Sequence, residues 1–257
     1  MTTRLDAAVA ARGLARSRTH AAQLIDAGLV SVDGRTIVKS SARVADDSVI
    51  EVAASDHYVS RAAHKLLAAL DAFGVEVTGR LALDMGASTG GFTQVLRERG
   101  ATPVIAVDVG HGQLAPTIAA DEQVIAVEGF NVRYMTPDTL AEASGIAMPP
   151  RIVTGDLSFI SLTHVLPAVA AVAAPDADIV LLIKPQFEVG RTGVREGLVT
   201  DPGRRADAIA TVLWAAWDAG LGTHGNAEFV AHLRPGIAED RGNPTAWLDD
   251  VDRLSRG

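Results

Sequence analysis

Leu81-Ala-Leu-Asp84-Met-Gly86-Ala-Ser-Thr-Gly90-Gly91-Phe92 runs from a short apolar stretch into a glycine-rich turn, and a helical pattern follows. Glycines at such a turn let the backbone bend tightly and approach a ligand closely. In open α/β sheets ligands bind beyond the carboxyl ends of the strands. The spacing is not G-x-G-x-x-G, and no Lys follows as in a phosphate-binding loop. The turn therefore favours a nucleoside with no pyrophosphate to cradle; the competing reading is a tight structural turn. The next apolar run, Val104-Ile-Ala-Val-Asp108, ends in an acid that can accept hydrogen bonds from both hydroxyls of a ribose.

Two further runs have the same character. Ile152-Val153 leads to Asp156, and Asp178-Ile-Val-Leu-Leu-Ile runs into Lys184. Helical stretches separate these runs, an alternation that predicts a mostly parallel sheet with helices on both faces. Asp84, Asp108, Asp156 and Lys184 would then leave the sheet at one edge. A close Asp–Lys pair titrates as a unit. A Lys beside an acceptor hydroxyl can take its proton or stabilise the forming alkoxide; a structural ion pair is the plainer alternative. Only Lys39, Lys65 and Lys184 are lysines among 23 basic residues, and Arg, unlike Lys, cannot serve as a base. Lys65 falls in a helix expected over residues 60–73. It lies off the stripe of Leu66, Leu67, Leu70 and Phe73, so periodicity alone places it in solvent. Glu228 lies in Asn226-Ala-Glu-Phe-Val-Ala-His-Leu233, which alternates like one late strand. Asn243-Pro244 is expected to open a last helix.

The beginning of the chain differs in charge. The whole has 257 residues and a net charge of -8, from 23 Lys and Arg against 31 Asp and Glu, which rules out a wholly basic nucleic-acid protein. Within residues 1–43, however, seven basic residues (Arg4, Arg12, Arg16, Arg18, Arg35, Lys39, Arg43) face three acids (Asp6, Asp26, Asp33). This basic island reads as a small αα–β unit. Leu5, Val9 and Leu14 suggest one helix ending near Gly13. Ser17 caps a second, with Ala21, Leu24 and Ile25 inward and Gly28 at its end. Val30-Ser-Val32, the turn signal Asp33-Gly34 and Val49-Ile-Glu-Val52 follow as strands. There is no Cys, which excludes a disulfide scaffold, a thiolate nucleophile and a Cys-ligated metal. Aromatics at 4% argue against a stacking platform for single strands. The first residues carry charges every few positions and have no apolar signal-peptide core. The most nearly apolar stretch, Val165 to Pro175, is about half of the ~20 residues that span a bilayer.

Together these segments resemble the TlyA (hemolysin A) family of rRNA 2′-O-methyltransferases, whose catalytic domain is FtsJ-like. The resemblance rests on Val59-SRAAHKL-Leu67, Leu83 to Leu96, Val107 to Ala115, Gly155 to Leu162 and Ile183 to Gly190. RGLARSR…LIDAGLVSVDG is similar to the small RNA-binding domain first seen in a small-subunit ribosomal protein. The resemblance implies a Rossmann-like class I methyltransferase fold over residues 60–257. A linker at 55–59 and a small N-terminal α+β RNA-binding domain over 1–54 would precede it. It implies S-adenosyl-L-methionine as cofactor, held by Asp84, Gly86, Ala87, Ser88, Gly90, Gly91 and Phe92, with Asp108 at the ribose and Phe159 at the rim. A Lys-Asp-Lys-Glu tetrad maps onto Lys65, Asp156, Lys184 and Glu228. Ribosomal RNA within ribosomal subunits would be the partner, contacted by Arg4, Arg16, Arg18, Lys39 and Arg133, with Arg191 and Arg195 extending the track. No metal and no membrane is implied, and the cytoplasm is the expected location. Against the family's pattern, Leu221 to Asn226 reads several residues short, so a strand or loop before Glu228 is expected to be missing. Two other functions stay open: a membrane-active hemolysin, from the family's historical name, and an RNA-binding protein with an inactive methyltransferase domain.

Overall fold

A computed structural model describes residues 2–15, 17–26, 28–52, 57–189, 198–227, 229–236 and 243–255. The chain divides into two compact units, Met1–His57 and Tyr58–Gly257.

In the first unit, β1 (Thr2–Arg4) leads into α1 (Leu5–Ala11) and α2 (Arg18–Asp26). The strands β2 (Val30–Val32), β3 (Arg35–Thr36), β4 (Arg43–Ala45) and β5 (Ile50–Val52) follow. The Ser17 hydroxyl accepts from the His20 N–H and so satisfies a free donor at the start of α2. Leu5 and Val9 of α1 meet Ala21, Leu24 and Ile25 of α2, with Val30, Val44 and Ile50 completing one small apolar core. β2 pairs antiparallel with both β3 and β5, and β1 pairs with β4. Asp33 and Gly34, at φ of +51° and +77°, make the tight turn between β2 and β3.

The second unit begins with α3 (Ala62–Phe73), β6 (Ala82–Met85), α4 (Gly91–Glu98), β7 (Val104–Asp108) and α5 (Pro116–Ala119). Then come β8 (Val124–Glu128), α6 (Pro137–Ser144), β9 (Ile152–Gly155), α7 (Leu166–Val172), β10 (Asp178–Leu182) and α8 (Pro185–Glu188). The chain closes with α9 (Pro202–Asp218), β11 (Leu221–Ala227), β12 (Val230–Pro235) and α10 (Leu248–Ser255). Seven strands form one sheet in the order β11-β12-β10-β9-β6-β7-β8. The pairs from β10 to β8 are all parallel, while β12 runs antiparallel to both its neighbours. The strand order reverses between β6 and β9, which opens a crevice at their carboxyl ends.

Side-chain alternation gives the sheet two apolar faces. Along β10, Ile179 and Leu181 join the core that also holds Ile209, Val212 and Leu213 of α9. Val180 and Leu182 join the opposite core, with Leu66 and Leu70 of α3 and Val95 and Leu96 of α4. A strand buried on both faces has to be apolar throughout, which is why these strands read as runs rather than alternations.

The structure corrects the sequence reading in two places. Residues 226–233 are not one strand: β11 ends at Ala227 and β12 begins at Val230. Nor is a strand missing before that point, because Leu221–Ala227 forms a full edge strand of seven residues. Gly225 makes this possible, since a Cβ there would lie 2.7 Å from the Phe73 ring. Asn243 accepts from the Thr245 N–H and opens a short 3₁₀ turn that runs on into α10.

Candidate functional site

The glycine turn sits at the carboxyl end of β6, beside the reversal in strand order. Gly86 has φ of +76°, and a Cβ there would meet Leu157 Cδ2 at 3.0 Å and the Asp156 carbonyl oxygen at 3.4 Å. This glycine therefore lets two strand-end loops approach each other. At Gly91 a Cβ would lie 2.7 Å from Ser60 Cβ, so the first turn of α4 packs against the entry to α3. The N–H groups of Gly86 and Ala87 both donate to the Val107 carbonyl, which fixes the turn to β7.

Asp108 ends β7 and faces this turn. Its carboxylate accepts from the Ser88 N–H at 2.8 Å and from the Gly110 N–H at 2.8 Å. A carboxylate has about four lone-pair sites, so two remain for a ligand's hydroxyls. Ser88 holds the left-handed conformation, φ +47°, that aims its N–H at Asp108. Half-exposed Asp108, the Gly86–Gly90 backbone and the absence of a Lys in the loop fit a nucleoside ligand. Phe92 is buried in the sheet core behind the loop and supports the turn from beneath.

Asp84 is placed differently from the expectation that it meets the cofactor. It is 1% exposed, and its two oxygens accept from Thr93 Oγ1 at 2.6 Å and Thr154 Oγ1 at 3.1 Å. Burial pushes its pKa up to about 6, against the opposing pull of the two threonine hydrogen bonds. Asp84 thus ties β6 to α4 and β9 from inside the fold.

Lys184 and Asp156 form a pair at the next two strand ends. Lys184 Nζ lies 2.7 Å from Asp156 Oδ1 and donates to Ser158 Oγ at 2.7 Å. Each side chain keeps about a fifth of its surface in contact with solvent (19% and 20%). Lys184 Nζ also donates to the Asp156 carbonyl oxygen at 3.4 Å, so all three ammonium hydrogens have a partner and this long third bond is the one an incoming acceptor would displace. Lys65, exposed on α3, lines the same cavity as Lys184, so helix packing brings together two lysines that lie far apart in sequence. Glu228, the fourth expected member, lies outside the described residues.

Phe159 stands at the rim, 93% exposed, with φ of +65°. A phenylalanine in the left-handed region is strained by roughly 1–3 kcal/mol. Its ring lies 5.4 Å from that of Phe187.

Two residues in this site were absent from the sequence reading. Ser158 holds Lys184 and sits two positions beyond Asp156. Glu188 accepts from Ser161 Oγ at 2.5 Å and the Leu162 N–H at 2.9 Å, which straps the loop after β9 to α8. Burial raises its pKa, opposed by those two hydrogen bonds. The signal for Glu188 was available: it follows Lys184 by one helical turn.

Among the expected RNA contacts, Arg4 and Arg18 share one partner. Arg4 NH2 lies 2.9 Å and Arg18 Nε 3.2 Å from Asp6 Oδ2. Both guanidinium groups remain largely exposed and keep unused donors. Arg4 holds the Asp6 carboxyl down at about 2 against the upward push of burial, with Arg18 adding to the effect. Lys39 is exposed in the loop between β3 and β4. Arg133, on a one-turn 3₁₀ helix after β8, lies 5.6 Å from the centre of the exposed Tyr134 ring. Arg16, Arg191 and Arg195 lie outside the described residues. Among the described residues, no cluster of three or more metal-ligating side chains is found, and no helix is long and apolar enough to cross a membrane.

Residues 58–225 match the family model of FtsJ-like methyltransferases, and residues 3–50 match the S4 domain. The chain is 45% identical to the 16S/23S rRNA (cytidine-2′-O)-methyltransferase TlyA of Mycobacterium tuberculosis, over 96% of this chain and 95% of that protein. It is 35% identical to Hemolysin A of Brachyspira hyodysenteriae, over 90% of this chain and 99% of that protein. A solved structure from Streptococcus thermophilus that carries the hemolysin name superposes with a TM-score of 0.74 at 32% identity, covering 99% of this chain and 96% of that one.

Proposed function

The chain belongs to the FtsJ-like methyltransferases, in the TlyA group with an S4 domain, and we propose that it methylates the 2′-hydroxyl of a cytidine ribose in ribosomal RNA. The observation that carries this reading is the Lys184 ammonium, held 2.7 Å from both Asp156 Oδ1 and Ser158 Oγ at the open edge of the sheet. S-adenosylmethionine, when bound, supplies an electrophilic methyl group on a sulfonium. The residues that would hold it are the Gly86–Gly91 turn, with Ala87 and Ser88, and Asp108 for the ribose. Asp84 and Phe92 support this turn from behind.

Lys184 exchanges its long bond to the Asp156 carbonyl for the acceptor oxygen and stabilises the negative charge that grows there as the oxygen attacks. The hydroxyl proton passes to the Asp156 carboxylate beside Lys184. Ser158 keeps Lys184 from swinging away, and Lys65 adds positive charge on the same side. Glu228 is assigned to the tetrad through the family resemblance. Much of the rate comes from alignment, which can contribute about 7–11 kcal/mol. A ribose 2′-hydroxyl restricts the acceptor to RNA.

The first unit supplies RNA affinity through Arg4, Arg16, Arg18 and Lys39, and Arg133 contributes from the second unit. An enzyme that acts on ribosomal subunits works in the cytoplasm, which is the location this reading proposes. Labelled S-adenosylmethionine and unmodified ribosomal subunits test the reading. Wild type should transfer a methyl group to a cytidine ribose, and Lys184→Ala should not. Cofactor binding with no transfer to either subunit would favour an RNA-binding protein with an inactive catalytic domain.

A further inference from the structure

A cavity of about 860 Å³ opens beside Lys184 and shares none of its lining with the glycine turn, Asp108 or Asp156. This size suits a small-molecule or cofactor-sized group. One face of α3 forms a wall, with Lys65, Ala68 and Ala72 recurring at helical spacing. Ala68 and Ala72 are exposed, so the space comes from small side chains on a solvent-facing stripe rather than from a gap in the core. Four cations line the cavity: Lys65, Lys184, Arg205 and Arg253. No carboxylate does so among the described residues, although the chain carries a net charge of -8.

The far wall comes from the last helix. Arg205 of α9 donates to the Val199 carbonyl at 2.7 Å and to the Ser255 carbonyl at 3.2 Å, which fastens the end of α10 in place. Arg253, in the last turn of α10, is 67% exposed; it pairs with Asp250 at 2.8 Å and keeps donors to spare. An occupant therefore needs an apolar face for the alanine wall and negative charge for the arginines, and it must reach Lys184. A nucleotide meets all three requirements.

We infer that this cavity takes one nucleotide of the acceptor RNA strand, with its base against the Ala68–Ala72 face and its phosphate at Arg253. This rests on the methyltransferase reading and adds α10 to the RNA-binding surface. Arg253 here is a binding residue and Arg205 a positioning residue.

The test uses the full chain with Ala68→Phe, which plugs the cavity from an exposed position, and Arg253→Glu. With ribosomal subunits as acceptor, Ala68→Phe should lower kcat/KM at least tenfold. Arg253→Glu should raise KM for subunits about tenfold with kcat unchanged. It should also flatten the log–log salt dependence by about 0.7–0.9, the share of one phosphate contact. Both variants should melt as wild type does and bind S-adenosylmethionine with wild-type affinity. Turnover of both at the wild-type rate would overturn the inference and leave the methyltransferase reading intact. If wild type transfers no methyl, that reading fails by itself, and the cavity is then judged by titration with cytidine 5′-monophosphate at low salt. Binding by wild type that both variants lose supports the inference. No binding by wild type, or undiminished binding by Ala68→Phe, overturns it.

Discussion

Strand β10 carries an acid–base cluster at each end, and the two are built in opposite ways. At its start, Asp178 is 4% exposed and takes hydrogen bonds from Arg80 at 2.6 Å, His232 at 2.8 Å and Arg234 at 2.7 Å. Burial pushes its carboxyl up, but those three partners outweigh it and hold the group well below the usual carboxylate range. Just past the other end, Lys184 and Asp156 make a pair that is about a fifth exposed, with one of the three Lys184 contacts a long bond of 3.4 Å to the Asp156 carbonyl. A buried carboxylate that three cationic side chains already bond holds the fold together. A pair that reaches solvent and keeps one long, easily exchanged bond can act on something that enters. The same residue types thus lie buried and bonded at the amino edge of the sheet and reach solvent at the carboxyl edge, where we propose the chemistry takes place.

Mutations in the two clusters should have opposite consequences. Lys184→Ala should lower methyl transfer to ribosomal subunits by about 10²–10⁴-fold, the usual worth of a positioned proton-transfer group. Its melting temperature should stay close to wild type, because the lost pair is partly solvated. Asp178→Ala should do the reverse. It strands Arg80 and His232 in buried surroundings, which costs about 3–5 kcal/mol. For a unit of this size that lowers the melting temperature by roughly 10 °C, while kcat at low temperature is unchanged. A folded pKa this far depressed adds stability above the ordinary carboxylate range, and that stability is lost as pH falls through the folded value. Wild type should therefore lose its advantage over Asp178→Ala as the pH drops below about 4. Calorimetry and initial rates on the two variants decide the matter, and equal losses of activity and stability in both would dissolve the distinction.

The open cluster was legible in the sequence because Asp156 and Lys184 each terminate an apolar run, and parallel runs bring their ends to one edge. The closed cluster was not. Arg80, Asp178, His232 and Arg234 lie far apart in the chain, and only the antiparallel pairing of β12 with β10 brings the last two beside Asp178. The strand assignment over residues 226–233 failed for a related reason. Two antiparallel strands joined by a tight reversal keep an alternating pattern through the turn, and Phe229 at φ of +63° is where the chain doubles back. The alanine wall of the cavity was silent because alanine suits a buried face and an exposed one equally. Charge counting located the basic island but could not show that Arg4 and Arg18 share Asp6.

Asp84 is a buried, bonded acid at the carboxyl edge itself. Burial holds its pKa up at about 6, well above the usual carboxylate range, a difference worth about 3 kcal/mol. The sign follows from which state holds the proton. Between about pH 4 and 6 the folded protein keeps a proton that the unfolded chain has lost, so this contribution is full below about 4 and is lost as pH rises through about 6. Asp84→Asn cannot ionise, yet it can still accept from one threonine and donate to the other. Its stability relative to wild type should therefore climb by about 2–3 kcal/mol between pH 4 and 7 in denaturant titrations. Parallel curves for the two proteins would show that Asp84 is more solvated than its burial implies.

The smallest effect concerns strain at the open edge. Phe159 combines 93% exposure with a left-handed backbone, a conformation that costs an L-residue about 1–2 kcal/mol and glycine almost nothing. Phe159→Ala and Phe159→Gly both remove the ring, whereas only the glycine relaxes the backbone. In the pair, the glycine variant should be the more stable by up to about 1 kcal/mol, less whatever its freer unfolded chain gives back. If the ring contributes to RNA engagement at the rim, the two variants should lose transfer activity equally, because relief of strain does not replace the aromatic surface. If instead the strained backbone itself positions the Asp156–Ser158 segment, the glycine variant should lose more kcat than the alanine one, with KM for the subunits unchanged. The closed cluster at Asp178 offers no such contrast: among its four residues none has a positive φ, and its geometry is set by filled bonds rather than held against a preference.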